Sequence, residues 1–183
     1  MACVLVDSRS GAAATAHLNS RNNIPAAKQS QILRLARRRT NPYVKNFWLT
    51  MRRLQFRPVA TQVAVRHSQL RLGTMADVVV KDTSNRYRVI EIKTGFSNYN
   101  RLCTPWKMNA PFAQRNDCAF HQHHLQLAAT NAMYKMTYRQ SQMAAPMLIR
   151  FDSDNIYCTE LLVWLRSSNV MQDLFNSINS QCF

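Results

Sequence analysis

One stretch of the sequence, residues 73–95, constrains the fold most, because it holds two strand-like segments joined by a short turn. "LRLGTMADVVV", residues 70–80, and "RYRVIEIK", residues 86–93, alternate in the period of two that is typical of β-strands. A carboxylate interrupts each segment: three valines follow Asp77, and Glu91 lies between two isoleucines. Acidic side chains are rarely buried unless they are paired. The positions of Asp77 and Glu91 among apolar residues therefore need a physical explanation.

The register of the predicted hairpin follows from its loop. If the loop is Thr83-Ser84-Asn85, counting outward places Asp82 opposite Arg86 and Asp77 opposite Glu91. Directly opposed residues of antiparallel strands have Cβ atoms about 5 Å apart. A slip of one residue would put the two acids on opposite faces of the sheet. The pairing of the carboxylates thus depends on a three-residue loop.

Lys93 follows Glu91 by two residues and is predicted to share its face of the sheet. The alternate residues are predicted to point into the core: Val78, Val80, Ile90 and Ile92. Like charges that face each other across strands are destabilising, and a divalent cation offsets the repulsion well because hard oxygen ligands suit Mg²⁺ or Mn²⁺. Two carboxylates and a lysine indicate metal-assisted phosphodiester cleavage, in which the lysine orients water or stabilises developing charge. The alternative is a structural ion pair on a solvated sheet face.

The charge of the chain favours a polyanionic partner. Twenty-four Lys and Arg against nine Asp and Glu give a net charge of +15, and residues 8–76 contain no acid. Nucleic acid is the first partner to consider, with an acidic protein or an anionic membrane surface as alternatives. The arginines predicted to contact the DNA backbone, without sequence specificity, are Arg34, Arg37, Arg38, Arg39, Arg52 and Arg53. They could also form only a solvated surface, and "RLARRR" is also typical of a nuclear localisation signal.

Composition predicts one domain in a reducing, intracellular compartment. The 183 residues fit a single domain over residues 26–183, preceded by a loosely ordered basic segment at residues 1–25. Five cysteines without a CxxC pair argue against a disulfide framework, and no apolar run is long enough to span a membrane. The nucleus is the first candidate compartment. The mitochondrion is the alternative, because residues 1–25 have the composition of a transit peptide.

The order of predicted elements indicates an α/β fold with a central mixed β-sheet flanked by helices. Helices are predicted at residues 26–39 and 42–55, the second with a buried stripe of Tyr43, Phe47, Met51 and Leu54. Strands follow at 59–67, 70–80 and 86–93. A linker, a long helix over 114–139, strands at 146–151 and 156–165, and a helix from Ser168 complete the chain.

The motif G-x-x-x-D, a gap, then E-x-K-T-G resembles the PD-(D/E)XK nuclease superfamily, in particular its RecB-like and lambda-exonuclease-like branch. The matching residues are Gly73, Asp77, Glu91, Lys93, Thr94 and Gly95. The resemblance implies a restriction-endonuclease-like core and a Mg²⁺- or Mn²⁺-dependent DNA nuclease, an exonuclease by preference, that acts in replication, recombination or repair. It also implies that Asp77, Glu91 and the Ile92 carbonyl bind the metal, and that Gln126 on the long helix supports Lys93.

Several assignments stay open beside this resemblance. Gln122 and Tyr134 are secondary candidates for the helix position, and Thr94 is a candidate DNA contact. Many family members carry a further acid before the first strand, for which His67 or His17 could substitute here. A nucleic-acid-binding protein of the same fold without strong catalysis, and an RNA-cleaving enzyme, are the alternative functions.

Two further groups of residues each allow a structural interpretation and a functional one. Cys118, His121, His123 and His124 suggest zinc, but their spacing favours a helix with scattered histidines. Trp106 and Trp164 are predicted to be core or hinge aromatics, and the alternative for Trp106 is stacking on a nucleobase.

Overall fold

A five-stranded mixed sheet flanked by helices forms the fold in the computed structural model, which describes residues 42–95, 105–152 and 155–182. The elements are α1 (Pro42–Arg53), β1 (Arg57–His67), β2 (Leu72–Lys81), β3 (Tyr87–Thr94), α2 (Ala119–Tyr138), β4 (Met147–Phe151), β5 (Ile156–Glu160), a 3₁₀ turn (Val163–Leu165) and α3 (Ser168–Cys182). The α/β class and the element order are those predicted from the sequence. The segment 1–25 and the predicted helix 26–39, with Arg34, Arg37, Arg38 and Arg39, lie outside the described residues.

The strands lie in the sheet in their order along the chain. Strands β1, β2 and β3 form an antiparallel meander, β4 is parallel to β3, and β5 returns antiparallel to β4. A parallel pair needs a crossover connection, and α2 supplies it between β3 and β4. Strand β3, which carries Glu91 and Lys93, therefore lies at the centre of the sheet.

Helix α1 covers one face of the sheet. Pro42 occupies its first position, where a missing N–H is tolerated. Met51, only 1% exposed, contacts a cluster that includes Val78, Val80 and Ile90. The prediction that these alternate residues enter the core is confirmed. The prediction for Tyr43 is wrong, because it lies in the first turn of α1 and is exposed.

Helices α2 and α3 cover the other face. Leu127 and Tyr134 of α2 and Phe175 of α3 lie in one cluster with Val79 and Val89 of the hairpin. Helix α2 begins at Ala119, five residues later than predicted, because the chain before it folds back on itself. Met108 N–H donates to the Arg115 carbonyl at 2.9 Å, which holds residues 105–118 in a compact loop.

The last predicted strand is shorter than expected. Strand β5 ends at Glu160, and Val163–Leu165 form a 3₁₀ turn instead of continuing the strand. Leu161 and Leu165 are both buried in the cluster on the α2 side. The chain leaves the sheet edge there so that these two side chains can reach the core.

Candidate active site

The hairpin that carries the two carboxylates has the predicted register. Val78 pairs with Ile90 and Lys81 with Tyr87, so counting one residue further places Asp77 opposite Glu91. At the loop, Asp82 forms the predicted ion pair with Arg86, at 2.9 Å. Burial is the largest cause of the raised pKa of Glu91, and the charge of Asp77 adds to it, so the two carboxylates lie close enough to repel each other.

The sheet opens at Asp77. Regular pairing of β2 with β3 stops at Val78 and Ile90, and Ile92 N–H donates instead to Asp77 Oδ2 at 2.8 Å. In an extended strand the N–H and C=O of one residue point to the same side. The Ile92 carbonyl is therefore directed toward β2, on the side of Asp77.

The backbone of the neighbouring strand β1 is also irregular here. Thr61 pairs with Val78 and Val63 with Ala76, so Gln62 lies opposite Asp77. Gln62 has a φ of 52°, in the left-handed region that non-glycine residues seldom adopt. Such backbone strain tends to occur at functional sites, and it coincides here with the position of the first carboxylate.

Glu91, Lys93 and Gln126 form a closed set of hydrogen bonds. Lys93 Nζ donates to Glu91 Oε1 at 2.8 Å, and Gln126 Nε2 donates to the same oxygen at 2.8 Å. Lys93 Nζ also donates to Gln126 Oε1 at 3.2 Å. The set fixes the orientation of all three side chains and brings Gln126, from the middle of α2, onto the two strand residues.

The other oxygen of Glu91 has no partner. Glu91 is 2% exposed, and its Oε2 accepts no hydrogen bond from the described residues. Burial raises the pKa of the Glu91 carboxyl, and the nearby Asp77 charge adds to this, whereas the Lys93 hydrogen bond opposes it. A buried carboxylate oxygen without a donor is costly. Glu91 and Lys93 form the ion pair that the alternative predicted, at 2.8 Å, but the prediction of a solvated face is wrong, since α2 covers this face.

The donor set fits a hard divalent cation. It comprises the carboxylates of Asp77 and Glu91, the unpartnered Oε2 of Glu91, and the Ile92 carbonyl directed to the same side. Mg²⁺ is commonly held by only one or two carboxylates and completes its shell with water and substrate phosphates. Within residues 42–95, 105–152 and 155–182 no group of three or more His, Cys, Asp or Glu could hold a metal. The site therefore offers two acidic ligands.

Three secondary candidates lie outside this site. Gln122 is exposed and donates to Asp117 at 2.6 Å, and Tyr134 is buried in the core beside Tyr138. His67 lies five residues along β1 from the position opposite Asp77, about 16 Å away along the strand. The proposal that His67 replaces a further acid is wrong, because its ring packs on Phe175 instead, at 4.5 Å. His17 lies outside the described residues.

The described residues predicted to contact DNA do not share the face of the carboxylates. Thr94 is exposed at the end of β3. It pairs with Phe151, which packs on the α1 side, and as the residue after Lys93 it alternates to that same side. Arg52 and Arg53 end helix α1 and are exposed there too. The structure thus brings none of these three side chains to the carboxylates.

Two residues near the site were missed by the sequence interpretation. Arg150 of β4 pairs with Lys93 in the parallel register, is 6% exposed, and stacks on Tyr157 at 4.0 Å. Arg150 interrupts the otherwise apolar segment "PMLIRF", as Glu91 interrupts its own strand. The same reasoning could therefore have identified Arg150 from the sequence. His123 lies one helical turn before Gln126. Burial lowers its pKa to about 4, with Lys93 contributing.

The histidines at the start of α2 are not gathered into a zinc site. His121 Nδ1 contacts the Asn116 carbonyl at 2.8 Å and the Cys118 thiol at 3.5 Å. His124 is fully buried against Phe120, and neither of its ring nitrogens has a partner in the part of the chain that the structure describes. Burial lowers its pKa to about 4. The prediction of scattered histidines on one helix agrees with this arrangement, in which His124 is neutral at pH 7.

Comparison with known proteins adds little to this geometry. No family model matches the chain, and no curated protein matches it. Among solved structures the chain is similar to SSO0001, with 16% identity and a TM-score of 0.33, over 81% of this chain and 61% of that one. The chain thus spans less than two thirds of that structure, and a TM-score this low establishes neither a shared fold nor a shared function. Among the described residues, no helix is long and apolar enough to cross a membrane.

Proposed function

We propose that this protein is a metal-dependent deoxyribonuclease that hydrolyses phosphodiester bonds with Mg²⁺ or Mn²⁺, in the manner of the PD-(D/E)XK enzymes it resembles. The observation that carries the proposal is the unpartnered, buried Oε2 of Glu91, opposite Asp77 and beside Lys93. A purely structural ion pair would leave no buried oxygen without a donor. A cation at this oxygen satisfies it and removes the repulsion between the two acids.

Each residue has a role that follows from its contacts. Asp77, Glu91 and the Ile92 carbonyl would hold the cation. Bound there, a divalent cation polarises the phosphoryl oxygen and lowers the pKa of an attacking water. Lys93, held by Glu91 and Gln126, places a positive charge at the edge of this site. It orients the attacking water or stabilises the negative charge that develops on the phosphate.

Gln126 acts through the other two side chains. Its amide donates to Glu91 and accepts from Lys93, so it fixes the orientation of the ion pair that these two side chains form at 2.8 Å. Positioning of this kind matters because small displacements of catalytic groups cost large factors in rate. Gln126 is therefore a positioning residue for the lysine.

The DNA interface at this site involves β3 and α2 rather than the end of α1. Thr94, one residue beyond Lys93, is exposed at the end of β3 but alternates to the other face, so it would contact DNA only around the strand end. Arg52 and Arg53, on the opposite face, would contact only DNA that extends around the sheet. The net charge of +15 supports backbone binding without sequence specificity, and a role in replication, recombination or repair in the nucleus or mitochondrion accords with such binding.

The wild-type protein tests this proposal directly. It is incubated with linear duplex DNA, circular duplex DNA and RNA of matched length, each in Mg²⁺, Mn²⁺ or EDTA. We expect cleavage of linear DNA in either metal and none in EDTA. Cleavage of linear but not circular DNA identifies an exonuclease, cleavage of both an endonuclease, and cleavage of RNA alone contradicts the choice of substrate.

A nucleic-acid-binding protein of the same fold, with weak catalysis or none, is the second candidate. The observation in its favour is that the described residues place only two acids at the site. It predicts salt-dependent binding of DNA in EDTA and in Mg²⁺ alike, with intact substrate in every metal. That result would contradict the nuclease proposal and leave the binding surface in place.

A further inference from the structure

Trp106 is an exposed aromatic side chain on the loop that leads into α2, the helix that carries Gln126. It is 74% exposed, so it does not belong to the core, the first of the two roles predicted for it. Trp164 does pack, against Phe112 at 5.7 Å, with the Arg115 guanidinium over its ring at 4.8 Å. A large indole at the surface of a hydrogen-bonded loop is a candidate contact for a ligand.

The loop presents Trp106 in a fixed position. Its carbonyl accepts from Asp117 N–H at 2.8 Å, and the next residue, Lys107, forms a β-bridge with Asn116. Phe112, at the other end of the loop, is 5% exposed. The backbone of Trp106 and of the residue after it is thus hydrogen-bonded to the segment that leads into α2, which fixes the position from which the indole projects.

The route from the carboxylates to Trp106 runs along α2. Gln126 contacts Glu91 and Lys93, His123 is one turn closer to the helix start, and Asp117 lies immediately before Cys118, the N-cap residue. From Ala119 to Gln126 the helix rises about 10 Å, so the loop that carries Trp106 lies about three turns or less from the carboxylates along the helix axis.

The charge around the loop suits a nucleic acid. Lys107 follows Trp106 directly, and the one acid in residues 105–118, Asp117, accepts a hydrogen bond from Gln122 at 2.6 Å. The Arg115 guanidinium of the same loop is engaged over the Trp164 ring. An exposed aromatic ring on a basic surface is typical of proteins that hold single-stranded nucleic acid, since each base offers a face for stacking. A second copy of this chain is the competing occupant, but a net charge of +15 disfavours self-association.

We propose that Trp106 is a stacking platform for an unpaired nucleobase of single-stranded DNA that is bound at the proposed active site. The proposal rests on the proposed nuclease function and adds a preference for a strand that is unpaired near the cut. Stacking discriminates little between bases, so the contact gives affinity for single strands without sequence specificity.

Equilibrium binding in EDTA tests Trp106 without requiring catalysis. A fluorescently labelled single-stranded oligonucleotide is titrated with the wild type, Trp106→Ala, Trp106→Phe and Val163→Ala. Val163 is an exposed apolar residue, 79% accessible, in the 3₁₀ turn, and serves as the matched control. We expect Trp106→Ala to bind about tenfold or more weakly, Trp106→Phe to recover most of the affinity, and Val163→Ala to match the wild type.

The outcomes separate this inference from the nuclease proposal. Equal affinity of Trp106→Ala and wild type, or no binding of single strands by the wild type, overturns the stacking role whether or not the protein cleaves DNA. A change of sedimentation behaviour in Trp106→Ala, without loss of DNA affinity, assigns the indole to self-association instead. Weaker binding by Trp106→Ala in a protein that never cleaves supports the platform and contradicts only the catalytic role.

Discussion

Replacement of Lys93 by methionine is expected to lower the rate of DNA cleavage by about 10²–10³-fold. Methionine keeps much of the apolar stem but removes the ammonium that donates to Glu91 and Gln126. Without the Lys93 ammonium, the hydrogen-bonded set of Glu91, residue 93 and Gln126 has no positive charge to direct toward the phosphate. Single-turnover cleavage of linear duplex DNA in Mg²⁺ measures the effect, and DNA affinity in EDTA is expected to change little.

Lys135→Met is the matched control for this loss. Lys135 lies in the last turn of α2 and is exposed, so the same substitution removes one positive charge far along the helix from Gln126. We expect it to cleave at the wild-type rate. Equal rates for Lys93→Met and Lys135→Met would contradict a catalytic role for Lys93.

Replacement of Glu91 by glutamine is expected to abolish stabilisation of the protein by Mg²⁺. A ligand that binds only the folded state stabilises it by about 2.7 kcal/mol at 100 times its dissociation constant. Glutamine retains an oxygen that accepts from Lys93 and Gln126, but loses the charge and the second oxygen that a cation needs. Urea unfolding of both proteins, with and without Mg²⁺, measures the difference, and an equal gain in both would contradict the role of Glu91.

The unfolding free energy measured in urea, with and without Mg²⁺, is expected to change with pH in a definite direction. The pKa of Glu91 is raised above its ordinary value of 4.5 by burial. Between 4.5 and the raised pKa, the metal-free folded protein holds a proton that the unfolded chain has released, so the unfolding free energy falls as pH rises. Metal binding requires the carboxylate and displaces that proton, so stabilisation by Mg²⁺ grows with pH over the same range. Glu91→Gln should lack both trends.

The hairpin and its carboxylates were accessible from sequence because they depend on local rules. A three-residue loop fixed the register, and alternation placed Val78, Val80 and Ile90 in the core. The contact of Gln126 with Glu91 and Lys93 was expected only from the resemblance. Periodicity predicts that Gln126 lies on a helix. It does not predict that this helix packs over Glu91 and Lys93.

The features that sequence could not give depend on long-range packing. Glu91 is buried because α2 crosses over its face of the sheet, and no pattern within β3 reports that crossing. Arg53 is directed away from the site because α1 packs on the other face. Trp106 is exposed because residues 105–118 fold back on themselves, whereas composition alone favours burial of a tryptophan.

Cleavage by Asp77→Asn, beside Asp173→Asn, tests the central claim most directly. Asp77 faces Glu91 and has no role in the core, whereas Asp173 is an exposed acid on α3 and provides the same acid-to-amide change. The rate of cleavage of linear duplex DNA in Mg²⁺ is measured for both variants and the wild type. The account predicts that Asp77→Asn loses about a thousandfold or more and that Asp173→Asn equals the wild type. Wild-type cleavage by Asp77→Asn would contradict the assignment of this site.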